Sequence, residues 1–154
     1  VNPPLRTGAD VQALRAGLRE GALDAVATDH APHHRDDKEV EYDYAAPGIS
    51  GLETAAALIY TELVEPGVLS VSGMAARMSL GPARILGLRG KGTLAPGSDG
   101  DVCVLDPALE AAVDPARFVS KGKNTPFAGR VLRGWPVATV VGGRVVMLDR
   151  KLEA

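Results

Sequence analysis

Disulfides are the first thing this chain cannot build, because it has a single cysteine, Cys103, in 154 residues. A lone thiol makes no internal bridge, which fits a reducing, cytoplasmic setting. Charge of one sign is missing too: 17 Lys and Arg against 19 Asp and Glu leave a net charge of −2. That balance gives no basic footprint for nucleic acid or an anionic membrane surface. No apolar run approaches a membrane span; Ala55 to Tyr60 is among the longest. Nothing in the sequence repeats, and no signal-peptide pattern or low-complexity tract is present. Methionine is absent from position 1, and Val1-Asn2-Pro3-Pro4-Leu5 reads as the continuation of something already under way. A fragment of a longer polypeptide is therefore expected.

What is present is an ordinary globular composition, 45% hydrophobic and 23% charged. Pro3-Pro4 fixes an extended start. Thr7 and Asp10 give an N-cap signature, Val11, Leu14 and Leu18 follow at helical spacing, and Gly21 closes that helix. The short apolar run from Leu23 to Thr28 then reads as a buried strand, so helix and strand form one α/β unit of a parallel sheet. On such a strand Ala25, Ala27 and Asp29 share one face, and Val26, Thr28 and His30 the other. Asp29 is thereby a carboxylate at a strand's C-terminal end, where (β/α) barrels do their chemistry. Local sequence leaves a second reading open, since an aspartate beside Ala31-Pro32 also suits a turn. His30 is expected to pack.

His34 to Asp43 is too charged to pack and reads as a solvated loop, or as a lid over the site. Ser50 and Glu53 form a capping-box pattern ahead of a helix striped by Leu52, Ala56, Ile59 and Leu63, which Pro66-Gly67 stops. Two short helices should follow, one from about Ser72 to Met78 and one opened by Pro82 and closed by Gly87. Beyond Leu88 the texture turns to β: Val102 to Leu105, Ala111 to Val113, and Val137 to Val141, with Gly142-Gly143 returning the chain through Arg144 to Leu148. Cys103 is expected to be a buried strand residue. The division falls near residue 90. A whole (β/α)₈ barrel takes about 250 residues, so the first part holds only a last strand or two and should leave apolar helix stripes uncovered. With no clustered cysteines and no helical His-x-x-x-His pair, a self-contained zinc site is not indicated. Lys121-Gly122-Lys123 reads as a surface turn.

Three motifs in order, Asn2-Pro3-Pro4-Leu5-Arg6, Thr28-Asp29-His30-Ala31-Pro32-His33 and Pro47-Gly48-Ile49-Ser50-Gly51-Leu52-Glu53-Thr54, resemble the dihydroorotases. A fourth, Phe118-Val119-Ser120-Lys121-Gly122-Lys123-Asn124-Thr125-Pro126-Phe127-Ala128-Gly129, does so too. The likeness is to the C-terminal portion of the bacterial type, a zinc-dependent cyclic amidohydrolase of pyrimidine synthesis. It implies that 1–90 are the C-terminal strands and helices of a TIM-like metal-dependent hydrolase barrel, and 91–154 a small β-rich composite domain. It implies that Asp29 is both zinc ligand and general base, that Asn2 and His33 bind substrate, and that the Pro47-Gly48 backbone lies against it. The substrate pair would be dihydroorotate and N-carbamoyl-aspartate, with most zinc ligands expected upstream. Implied partners are the chain's own N-terminal part, a homo-oligomer or aspartate carbamoyltransferase. Two alternatives stand beside this: another cyclic amidohydrolase (dihydropyrimidinase, hydantoinase or allantoinase), or an inactive dihydroorotase-like scaffold for aspartate carbamoyltransferase.

Overall fold

The computed structural model describes residues 1–153. Helix α1 (Gly8–Glu20) begins at a complete capping box, in which the Thr7 side chain accepts from the Asp10 N–H and the Asp10 carboxylate accepts from Thr7. It ends at Gly21, whose N–H returns to the Gly17 carbonyl. The run from Asp24 to Thr28 is extended but is not the paired strand expected. A strand needs a ladder, and here isolated contacts stand in for one: Val26 N–H donates to Arg77 O at 3.0 Å, and just beyond the run His30 forms a parallel bridge with Ile49. The expected alternation is visible from Val26 onward, but Ala25, expected on the face of Ala27 and Asp29, is half-buried. Val26, Thr28 and His30 are half-buried, whereas Ala27 and Asp29 face solvent.

The charged stretch after His34 folds into a short helix, α2 (Arg35–Lys38), rather than a free loop. A 3₁₀ turn (Leu52–Thr54) leads into α3 (Ala55–Ile59), which continues through a π turn (Tyr60–Val64). The two separate helices expected after Ser70 are one run: α4 (Val71–Ala75), a π turn (Ala76–Leu80) and α5 (Gly81–Ile85). Pro82 has no N–H to give the turn before it, and the wider π turn takes up that mismatch without ending the helix.

A four-stranded antiparallel sheet follows in the order β1-β2-β3-β4, with β1 Val102–Ala112, β2 Val131–Val141, β3 Arg144–Leu148 and β4 Lys151–Leu152. Val102 to Leu105 and Ala111-Ala112, expected as separate strands, belong to one, and Val113 lies just beyond its end. A bulge between Asp106 and Glu110 joins them. Pro107, which cannot donate to a ladder, sits within it, and Ala108 N–H is taken by the Asp106 carboxylate at 2.8 Å. Cys103 lies on β1 as expected but is exposed, not buried. Its inner-face neighbours across the strands, Thr139, Met147 and Leu152, leave that side of the sheet open.

The helix over 52–64 is the hinge of the packing. Its Ala57 is buried with Val113, Leu132 and Trp135 of the sheet region, with the Trp135 indole N–H donating to Leu132 O. Its Leu63 is buried with Leu18 of α1 and Leu69, against which Val26 packs. Elsewhere the helical half is uncovered: Val11, Leu14, Leu52, Val71, Ile85 and Leu86 are all exposed.

Candidate active site

The capping box expected of Ser50 and Glu53 is not made, because both side chains are engaged elsewhere. Ser50 Oγ donates to Gly122 O at 2.6 Å, and the Glu53 carboxylate accepts the N–H groups of Val119 and Ser120 at 2.9 Å each. The donors at the start of the helix are satisfied instead by His30. Its Nδ1 accepts from the Gly51 and Leu52 N–H groups, both at 3.2 Å. Two donors on Nδ1 place the proton on Nε2, so His30 is a neutral ring with a capping role.

Asp29, directly before it, has φ 45°, one of three non-glycine residues with positive φ among the described residues. That conformation costs an L-residue about 1 kcal/mol. The reward is placement: His30 turns inward to cap the helix while the Asp29 carboxylate stays on the open side. Asp29 is exposed and makes no side-chain hydrogen bond among the described residues. Such a carboxylate is free to take or give a proton, or to bind a cation.

Four residues on, His33 is half-buried, and its Nε2 lies 3.1 Å from Pro47 O. The Nε2–H therefore donates to that carbonyl, leaving Nδ1 open. Gly48 completes the contact: φ is 148°, and a Cβ there would stand 2.8 Å from Ala31 Cβ and 2.9 Å from His33 Cδ2. Only glycine lets the two segments close. His33, Pro47 and Gly48, three of the five residues singled out in the sequence, thus form one wall. Asn2 is exposed and makes no side-chain hydrogen bond among the described residues.

Sequence reasoning missed what holds this wall. Lys38 Nζ donates to Ala46 O at 2.6 Å and to Gly48 O at 3.1 Å, and Asn124 Nδ2 donates to Gly48 O at 3.2 Å. Three consecutive carbonyls, of Ala46, Pro47 and Gly48, are each held by a side chain from a distant point. Asn124 lay inside a quoted motif. Lys38, in a charged run, carried no signal.

No group of three His, Cys, Asp or Glu able to hold a metal comes together among the described residues. The donor set fits a metal only to the extent of one carboxylate, Asp29. The main cavity, about 540 Å³, lies apart from this wall, between the 52–64 helix and the sheet. Its lining is largely apolar, with Phe118, Trp135 and Met147, and Arg150 lies over the Trp135 ring at 4.2 Å. Cys103 is at its margin, where partial burial pushes the thiol up against the opposing hydrogen bond with Thr139. Neither Asp29 nor His33 lines it, so its size marks an uncovered sheet face and not the reacting centre.

The amidohydrolase family model matches residues 2–146, a span that includes Asp29, His33 and the Pro47-Gly48 wall. The chain belongs to the amidohydrolase family. Curated relatives include the dihydroorotases of Pelotomaculum thermopropionicum and Syntrophus aciditrophicus. They are 59% and 56% identical over 97% and 95% of this chain, which is 35% and 34% of their own lengths. Among solved structures, the L-hydantoinase (dihydropyrimidinase) from Arthrobacter aurescens superposes with a TM-score of 0.94 at 35% identity. It matches all of this chain and 35% of that one. A D-hydantoinase from Thermus sp. gives 0.92 at 28% identity, over 100% of this chain and 34% of that one. The chain spans about a third of the length of the relatives it matches.

Proposed function

We propose that this chain is the C-terminal part of a dihydroorotase, which interconverts dihydroorotate and N-carbamoyl-aspartate. In this reading residues 1–90 finish a (β/α)₈ barrel and 91–154 belong to a small β domain. The open side of Asp24 to Asp29 is the barrel interior, and the uncovered helix and sheet faces are where the rest of the polypeptide packs. The observation that carries the reading is the docking of His33 onto Pro47-Gly48 four residues after an exposed, unpaired Asp29. It supports an acid and a substrate wall at one rim.

Asp29 is the proton carrier. Its carboxylate takes the proton of the water that attacks the ring carbonyl and returns it to the ring nitrogen as the C–N bond breaks. An amide nitrogen leaves poorly unless protonated, so the return is needed. Ring closure runs the same transfers backwards. Bound zinc would supply a water acidified enough to attack near neutral pH, with Asp29 as this chain's one ligand to it. His33 and Asn2 bind the substrate, His33 meeting its carboxylate through Nδ1. With Nε2–H already given to Pro47 O, that bond requires the imidazolium form, in which both nitrogens donate. The cytoplasm is the setting that the lone thiol fits.

The higher identity to the dihydroorotases than to the hydantoinases favours dihydroorotate over dihydrouracil or hydantoin. Assay of the complete enzyme on dihydroorotate, dihydrouracil, hydantoin and allantoin tests this. Dihydroorotate should be turned over with the highest kcat/KM, and preference for any other ring overturns the assignment. Asp29→Asn should lower kcat by about 10²–10⁴-fold with the thermal midpoint retained. Wild-type turnover in that variant would refute the proton-carrier role.

A further inference from the structure

The loop between β1 and β2 reaches back across the molecule to the Pro47-Gly48 wall, and it is fixed at successive points along the way. Glu53 holds the Val119 and Ser120 N–H groups. Lys123 Nζ closes the loop on itself through Phe118 O. Gly122 is buried so tightly that a Cβ there would lie 2.9 Å from Pro32 Cα and 3.0 Å from Ser50 Oγ, the hydroxyl that donates to its carbonyl. The Ser50 N–H donates to Asn124 O at 2.7 Å. The side chain of Asn124 does something further: its amide faces the Gly48 carbonyl, so its NH₂ must be the end presented there, 3.2 Å away. Lys38 Nζ donates to the same oxygen, at 3.1 Å. One exposed side chain and one half-buried one, 86 residues apart in sequence, converge on a single acceptor.

We propose that Asn124 and Lys38 are positioning residues that together fix the plane of the Gly48–Ile49 peptide, and with it the substrate wall. The substrate part of this statement rests on the function proposed above. A glycine has no side chain to hold its own peptide orientation, and at Gly48 the close approach to Ala31 and His33 forbids one. The orientation is imposed from outside. Both donors act on the carbonyl of the Gly48–Ile49 peptide, while His33 holds the carbonyl of the preceding Pro47–Gly48 peptide, so successive peptides of the wall are each fixed by side chains. Because the two share one acceptor, losing either leaves the other in place, and losing both releases the peptide. The motif around Asn124 thereby gains a role in the first half of the chain, although it lies in the second.

The test is a double-mutant cycle in the complete enzyme with Lys38→Met, Asn124→Asp and their combination. Lys38→Met keeps the aliphatic stem, and Asn124→Asp keeps the backbone bond to Ser50 but turns an acceptor toward an acceptor. Two readouts are taken: KM and kcat for whichever cyclic amide the wild type hydrolyses, and hydrogen exchange of the peptide spanning residues 46–51. Asn124→Asp, which loses one hydrogen bond, should raise KM about three- to tenfold, and Lys38→Met, which loses those to Ala46 O and Gly48 O, at least as much, each with kcat within about twofold and the thermal midpoint held. The double variant should exceed the product of the singles and speed exchange in residues 46–51. Lys38→Arg, which retains a donor, should recover most of the KM. Wild-type KM and exchange in the double variant would overturn the proposal, and so would effects that multiply without coupling or that track a falling midpoint. If dihydroorotate proves not to be the substrate, the function fails while the exchange readout still decides the clamp.

Discussion

His30 and Asp29 are adjacent, and their side chains are sent to opposite tasks by one backbone angle. The positive φ at Asp29 leaves its carboxylate in the open while His30 turns inward to accept two helix N–H groups. The imidazole takes the place that a serine or aspartate usually fills at a helix start. Removing it strands two donors at a half-buried position. His30→Ala is expected to cost about 1–3 kcal/mol of stability, and His30→Asn, whose Oδ1 stands near where Nδ1 stood, to recover part of it. Thermal unfolding of the two variants beside the wild type measures this, and equal losses in both would exclude the capping role. At this scale the sequence singled out Asp29 as a carboxylate at a strand's C-terminal end, and the structure places it exposed at the end of an unpaired segment. It assigned His30 to packing because nothing in a one-dimensional pattern shows which backbone donors will lack partners.

Among the elements, the helix over 52–64 carries the most contacts of consequence, since it is shared by both buried clusters. Leu132 on β2 is fully buried against Ala57 of that helix, with Val113 and Trp135 around it. Leu132→Ala should destabilise the protein by about 2–5 kcal/mol, through lost apolar burial and the cavity left behind. Denaturant titration of the complete enzyme reads it out; a change under about 1 kcal/mol would mean that the sheet and this helix do not share a core. The same element shows why the capping box was misread. Ser-x-x-Glu is a local signature, and here both side chains are drawn off by a loop that arrives from 66 or more residues away. Pro82 was misread for the complementary reason. A π turn inside a helix leaves no mark in apolar spacing, so a proline that looked like a start lies within a continuous run.

Across the whole molecule, the junction between the helical half and the sheet is held by charge. Lys91 pairs with Asp99 at 2.8 Å and with Asp101, and Asp101 also accepts the Gly142 N–H at 2.7 Å, tying the junction to the β2–β3 turn. Donating hydrogen bonds to Asp101, and then to Asp99, pushes the Lys91 ammonium up to about 12. Lys91, followed by the Gly142 N–H, holds the Asp101 carboxyl below the usual carboxylate range. The signs follow from linkage. The raised lysine contributes stability that is complete below the ordinary lysine range and is lost as pH rises through about 12. The lowered aspartate contributes stability that is present above the ordinary carboxylate range and is lost on acidification through its depressed value. Lys91→Met should therefore lower the thermal midpoint near neutral pH, and its gap from the wild type should narrow on titrating to either extreme. A gap constant with pH would show that the trio adds nothing.

By itself the sequence determined helix α1 with its Thr7 cap, the turn of texture to β beyond residue 90, the Gly142-Gly143 hairpin and the four motifs that mark the family, because each depends on residues close along the chain. Only the tertiary structure decided that β1 runs unbroken through Pro107, that His30 caps a helix, and that Lys38 and Asn124 meet on one carbonyl. The physical reason is range. Periodicity and capping are set within a turn or two of backbone, whereas the partner of a hydrogen-bonding group is set by whatever the fold brings within about 3 Å of it.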